Sequence, residues 1–116
     1  MVKKNTILAG HLGEDIAAKF LLSRGYTILH RNLRTKFGEV DIVASLGSQL
    51  RVIEVKQRST HSYGTPEEAI TRIKRIKLIK LAQWLESQYP EHEVCIDVIA
   101  VDGDRVSLYL QNIEIA

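Results

Sequence analysis

The chain has 116 residues, 45% hydrophobic and 26% charged, with a net charge of +2 and a pI near 8.8. That is the composition of one globular domain, expected to span 1–116, and any basic footprint on it must be local. The lone cysteine, Cys95, excludes an internal disulfide and a cysteine-based zinc site; no apolar run approaches the ~18 residues of a membrane span and no signal-peptide pattern is present, so a cytoplasmic protein with no membrane partner is expected.

Residues 5–24 read as a helix. Asn5 or Thr6 can cap it, Gly25 ends it, and Ile16, Ala17, Phe20 and Leu21 form its apolar stripe. Asp15 and Lys19 are spaced as an exposed i,i+4 pair. Glu14 borders the stripe: it is either a boundary glutamate or an acid aimed at the sheet. Tyr26–Arg34 reads as the first strand, and Arg31, Arg34 and Lys36 lead into the next segment as cations that suit phosphates or plain solvent.

The segment from Gly38 to Lys56 is the most informative. Two β-branched runs, Val40–Ala44 and Leu50–Val55, flank Gly47-Ser48, so a β-hairpin is expected with Leu46 facing Gln49. Carried down the ladder, that register sets Asp41 against Glu54 and Glu39 against Lys56. Period-2 alternation then puts Glu54, Lys56 and Val52 on one face, with Glu39 and Asp41 beside them. Opposed carboxylates repel, and burying them unpaired costs more. A cationic side chain, a proton or a divalent ion relieves this, and carboxylate oxygens suit Mg²⁺ or Mn²⁺. Lys56 is one step along the same face, where it could hold a water. A salt-bridged surface hairpin uses the same letters, but the surrounding strands are rich in Val and Ile rather than polar.

Beyond Lys56, Arg58 would share its face and could bind a phosphate oxygen, while Gln57 would point the other way. Residues 59–64 read as a polar loop. Thr65-Pro66-Glu67-Glu68 is a capping box with proline at the first helical position, opening a helix to about Tyr89 that Pro90 stops. Ile70, Lys74, Lys77, Leu81 and Trp84 or Leu85 follow helical spacing, so two lysines are expected within the apolar ladder, either snorkelling to its rim or, for Lys74, reaching the acidic cluster or a phosphate. The run Arg72–Lys80 is the strongest basic stretch. Val94–Val101 is a strand interrupted by Asp97, whose expected role is structural, paired with a cation such as Lys74. Asp102-Gly103-Asp104 turns it into a last strand, Arg105–Leu110.

The order α-β-β-β-α-β-β predicts a mixed α/β sheet flanked by helices. With Asp41 followed by Glu54-Val55-Lys56 on the next strand, it resembles the PD-(D/E)xK nuclease superfamily, whose fold is restriction-endonuclease-like, and its Holliday-junction-resolvase branch. More closely the chain resembles the bacterial YraN family. The matching residues are Gly10/Gly13-Glu14, Gly25-Tyr26, Arg31-Asn32, Gly38-Glu39-Val40-Asp41, Glu54-Val55-Lys56-Gln57-Arg58, Tyr63-Gly64, Lys74 and Asp97. Two departures are Val40 where the superfamily has proline and Cys95 where the YraN pattern has arginine.

The resemblance implies a metal-dependent endonuclease that hydrolyses phosphodiester bonds in DNA, with branched or junction DNA among its substrates. Glu14, Asp41, Glu54 and Lys56 would be its catalytic residues, and Asp41, Glu54, Glu14 and the Val55 carbonyl would hold Mg²⁺ or Mn²⁺. Arg58 and Lys74 would support the scissile phosphate, with Arg34 and Lys36 as further substrate contacts. A junction resolver needs two active sites and hence a homodimer. The alternative is a non-catalytic module of the same fold that binds nucleic acid or recognises junctions.

Overall fold

The computed structural model describes the backbone of residues 2–58 and 72–113 and the side chains of residues 12–57 and 75–113. In chain order the elements are α1 (Val2–Ser23), β1 (Thr27–Thr35), β2 (Gly38–Leu46), β3 (Gln49–Arg58), α2 (Arg72–Gln88), β4 (Glu93–Asp102) and β5 (Arg105–Leu110). The expected elements are found, with ends shifted by a few residues. The capping box at 65–68 lies outside the described residues, as do Tyr63 and Gly64.

The strands form one five-stranded sheet in the order β1-β2-β3-β4-β5. Every neighbouring pair is antiparallel except β3 and β4, which run parallel with α2 between them in the chain. A parallel pair needs such a crossover, and the long stretch after β3 supplies it. Strand β4 is buried from Cys95 to Val101, because a helix covers each face of the sheet and both sides of the strand must be apolar.

Two cores result. Under α1, Ala17, Ala18 and Leu21 pack on Ile42, Ala44, Ile53, Ile99 and Val101. Under α2, Leu78, Leu81, Ala82 and Leu85 pack on Val40, Val43, Val52, Ile96 and Val98. Each large side chain so buried contributes roughly 1.5–3 kcal/mol. The stripe of α2 thus runs through Leu78 rather than Lys77. Lys77 is exposed, contrary to its expected place in the ladder, because the helix is rotated by about one residue and an ammonium is cheapest in water.

Asp97 is fully buried on the α1 side and holds a polar network. Arg51 Nη1 donates to its Oδ1 at 3.1 Å, the Asn112 N–H donates to the same oxygen at 2.8 Å, and the Tyr109 hydroxyl donates to Oδ2 at 2.6 Å. Tyr26 Oη lies 3.0 Å from Tyr109 Oη; since that proton goes to Asp97, Tyr26 is the donor. The structural role expected of Asp97 is confirmed, with Arg51 rather than Lys74 as its cation. Arg51 is paired with Cys95 across the β3–β4 ladder, so a guanidinium stands beside the position where the YraN pattern has arginine. Burial works against the charge of Arg51, but Asp97, with Cys95 and Tyr109 beside it, outweighs that and the guanidinium pKa moves up.

Candidate active site

The β2–β3 ladder begins at the expected pair Leu46/Gln49 and runs to Ile42/Ile53. The next pair would be Asp41 and Glu54, and there the strands part. Strand β2 goes on pairing with β1 through Val40/Leu33, Glu39/Arg34 and Gly38/Thr35. Strand β3 goes on pairing with β4 through Glu54/Val98 to Arg58/Asp102. In place of a backbone rung, the Asp41 carboxylate accepts the Val55 N–H at 2.8 Å. A fork therefore opens in the sheet with Asp41 at its apex, bonded to the peptide that joins Glu54 to Val55.

The faces change at the same point. Val40 and Ile42 would share a face in a regular strand, yet Val40 lies in the core under α2 and Ile42 in the core under α1. Asn32 falls between the Leu33/Val40 and Arg31/Ile42 pairs, and its φ of 53° is left-handed. Both strands roll over together, and an asparagine tolerates the conformation better than most residues. The expectation that Glu39 and Asp41 share one regular face fails here, because alternation holds only while φ stays extended.

Strand β3 stays regular. Val52 packs under α2 and Ile53 and Val55 under α1, so alternation turns Glu54 and Lys56 toward the α2 side. Glu54 is buried, at 7% exposure, and Lys56 is half-buried. Gln57 lies on the α1 side, as expected. A Cβ built at Gly13 would stand 3.0 Å from its Oε1, which places α1 against the end of β3 here. Glu14 follows Gly13 and is half-buried, one turn before the buried Ala17 and Ala18, with its Oε1 shielded from solvent. It approaches from the α1 face, whereas Glu54 and Lys56 belong to the other. Among the described residues no three His, Cys, Asp or Glu side chains are gathered around one point that could hold an ion.

The oxygens at the fork nevertheless suit a hard divalent ion. Asp41 and Glu54 are carboxylates on adjacent strands. The N–H and C=O of one residue in a strand point to the same neighbour, so the Val55 carbonyl faces the fork with its N–H. Mg²⁺ is commonly held by one or two carboxylates while keeping several waters, which is what these donors provide.

The remaining expected contacts are more dispersed. Arg31 Nη2 bonds Asp15 Oδ1 at 2.6 Å, so Asp15 pairs across to β1 rather than with Lys19. Arg34 Nε stands 3.6 Å from Glu39 Oε2 on the edge strand, and its side chain is highly exposed. The Lys36 ammonium lies 5.2 Å from the Phe37 ring centroid. Arg58 ends β3 and Lys74 lies in the first turn of α2; their side chains fall outside the described residues. Sequence reasoning missed Arg51 and Phe37 as structural and surface features, and named Asn32 only within a motif. An asparagine inside a strand facing the acidic hairpin was the available signal for the roll.

A mixed sheet in sequential order, with one parallel crossover, helices on both faces and acids at a fork between its second and third strands, defines a restriction-endonuclease-like α/β domain. The chain belongs to the uncharacterised protein family UPF0102, the YraN family, whose family model matches residues 13–101. It is 42% identical over 101 residues to a UPF0102 protein of Thermodesulfovibrio yellowstonii, covering 84% of this chain and 88% of that one. It is 47% identical over 103 residues to one from Desulfosudis oleivorans, covering 87% and 84%. Among solved structures, an XisH family protein from Nostoc punctiforme PCC 73102 is similar with a TM-score of 0.51 at 14% identity, over 85% of this chain and 98% of that one, a likeness of fold. Among the described residues no helix is long and apolar enough to cross a membrane.

Proposed function

We propose that the protein is a metal-dependent endonuclease that hydrolyses phosphodiester bonds in DNA, branched or junction DNA included, and that it works in the cytoplasm. One observation carries this reading: Asp41 is locked by the Val55 N–H at the point where β2 and β3 part, beside buried Glu54 and half-buried Lys56. Asp41, Glu54 and the Val55 carbonyl would hold Mg²⁺ or Mn²⁺, with Glu14 acting from the α1 side through water. The ion would supply Lewis-acid polarisation of the phosphate and a bound water of lowered pKa. Lys56 orients the attacking water or stabilises the charge that gathers on the phosphate oxygens. The water oxygen would bond to phosphorus as the bond to the 3′ oxygen breaks, and the proton the water gives up would end on that oxygen, leaving a 5′-phosphate and a 3′-hydroxyl. Arg58 and Lys74 would bind phosphates flanking the cut, and Arg34 and Lys36 the strand beyond.

The test is cleavage of linear, flapped and four-way DNA with Mg²⁺ or Mn²⁺. Asp41→Asn and Glu54→Gln should each lower the rate by about 100-fold or more, since losing a charged ligand forfeits several kcal/mol of transition-state stabilisation. No cleavage of any substrate, or an unchanged rate in Asp41→Asn, removes the nuclease reading.

The hydrogen bond from Val55 also supports a second reading. It gives Asp41 a structural task, closing the end of the β2–β3 ladder, as it would in a non-catalytic module that binds nucleic acid or junctions. Calorimetry with Mn²⁺ separates the two: heat of binding lost in Glu54→Gln supports the nuclease, and DNA binding without any metal binding supports the module.

A further inference from the structure

On the α2 side, where the β1–β2 turn meets α2, lies a pocket that the catalytic proposal draws on only through Lys36. Lys36, Phe37, Ile76, Lys77 and Lys80 line it, with a volume of about 300 Å³. Its walls come from the β1–β2 turn and the first half of α2. Gly38 follows the turn at a φ of 130°, a conformation that favours glycine, and the Lys77 stem packs alongside it, 3.6 Å from where a Cβ would stand. Lys36, Lys77 and Lys80 are all exposed and Phe37 is half-buried. Ile76 is 48% exposed, an apolar side chain kept at the surface among lysines. The Lys36 ammonium stands over the Phe37 ring, 5.2 Å from its centroid, so charge and an aromatic face meet in the lining.

Phosphate-binding cations beside an aromatic and an apolar wall are the two components of a single-strand site, where lysines track the backbone and a ring supports a base. A concavity this small suits a base, and a paired base inside a duplex cannot enter it. Phe37 lies four residues before Asp41 along the chain, at most roughly 13 Å at the rise of an extended strand. A strand lying across the fork would therefore reach the pocket within a few nucleotides.

We propose that this pocket takes an unpaired nucleotide of the strand that crosses the fork, its phosphates on Lys36, Lys77 and Lys80 and its base against Phe37 and Ile76. The proposal rests on the reading of the chain as a nucleic-acid-binding protein and names the form preferred: DNA with a single-stranded stretch beside the cut, over continuous duplex.

The experiment is fluorescence anisotropy of the full chain, without divalent metal so that nothing is cleaved, against a short labelled oligothymidylate and a blunt duplex of equal length. Wild-type protein should bind the oligothymidylate more tightly. Phe37→Leu should weaken that binding by about 5–100-fold, the range of a lost stacking contact, and leave duplex binding within about twofold. Each of Lys36→Ala, Lys77→Ala and Lys80→Ala should reduce the slope of log affinity against log salt by about 0.7. Thermal melting establishes that each variant is folded, and the lysine variants carry the test if Phe37→Leu is not. Equal loss on both ligands, or unchanged salt slopes, overturns the pocket while leaving a nucleic-acid-binding protein; no salt-dependent binding to either ligand overturns both.

Discussion

Asp97 illustrates how a charge survives at zero exposure: it accepts hydrogen bonds from a guanidinium, a phenol and a backbone N–H, so little of its desolvation cost is left uncompensated. Replacing Arg51 by leucine would strand that carboxylate, and a loss of about 3–5 kcal/mol in urea unfolding is expected. The same network makes stability depend on alkaline pH. Burial first, then the hydrogen bonds with Asp97 and Tyr26, push the Tyr109 phenol well above its ordinary 10.0. As pH rises past about 10, the unfolded chain releases this proton while the folded chain keeps it. The contribution is therefore whole below pH 10 and declines above it. Melting temperatures should fall more steeply above pH 10 in the wild type than in Tyr109→Phe, even though the variant starts lower; parallel curves would show that Tyr109 does not set the slope.

For the elements, the decisive event is the roll of β1 and β2 at Asn32 and Asp41. Strand β2 is held by β1 on one side, β3 is held by β4 on the other, and neither can follow the other past Ile42/Ile53. The fork opens where the rolled β1–β2 pair turns away from the β3–β4 pair, and Asp41 caps it with a side chain where the backbone no longer reaches. Asn32 carries the strain. Asn32→Gly should retain stability within about 1 kcal/mol, whereas Asn32→Val should lose about 1–3 kcal/mol, because a β-branched residue is poorly tolerated at φ 53°. Denaturant midpoints decide this. If the roll aims Asp41, Asn32→Val should also weaken metal-dependent cleavage by more than Asn32→Gly does.

For the whole molecule, the helices divide the work. Helix α1 carries Glu14 on one side of the sheet, while α2, whose exposed Lys77 and Lys80 line a pocket with the β1–β2 turn, covers the side toward which Glu54 and Lys56 turn. An ion bound only by the folded protein raises its stability by mass action, about 2.7 kcal/mol at 100 times its dissociation constant. Mn²⁺ should therefore raise the melting temperature of the wild type and not of Glu54→Gln, a readout independent of cleavage. Symmetric cutting of a four-way junction would further require two forks related by a twofold axis. Light scattering after size exclusion, with and without junction DNA, should then report a dimer; a monomer in both conditions limits the protein to single cuts.

The sequence by itself determined the order of the elements and the Leu46/Gln49 register. These follow from local rules: turn composition, alternation, helical spacing and helix-ending residues. Only the tertiary structure decided that the ladder stops one rung before Asp41 and Glu54, that Arg51 is the partner of Asp97, that Asp15 pairs with Arg31, and that Lys77 lies outside the core of α2. Each of these depends on which distant segment arrives as a neighbour. A hairpin's local pattern holds no record of β4 drawing β3 aside, and a left-handed asparagine is written in the chain with the same letter as an extended one.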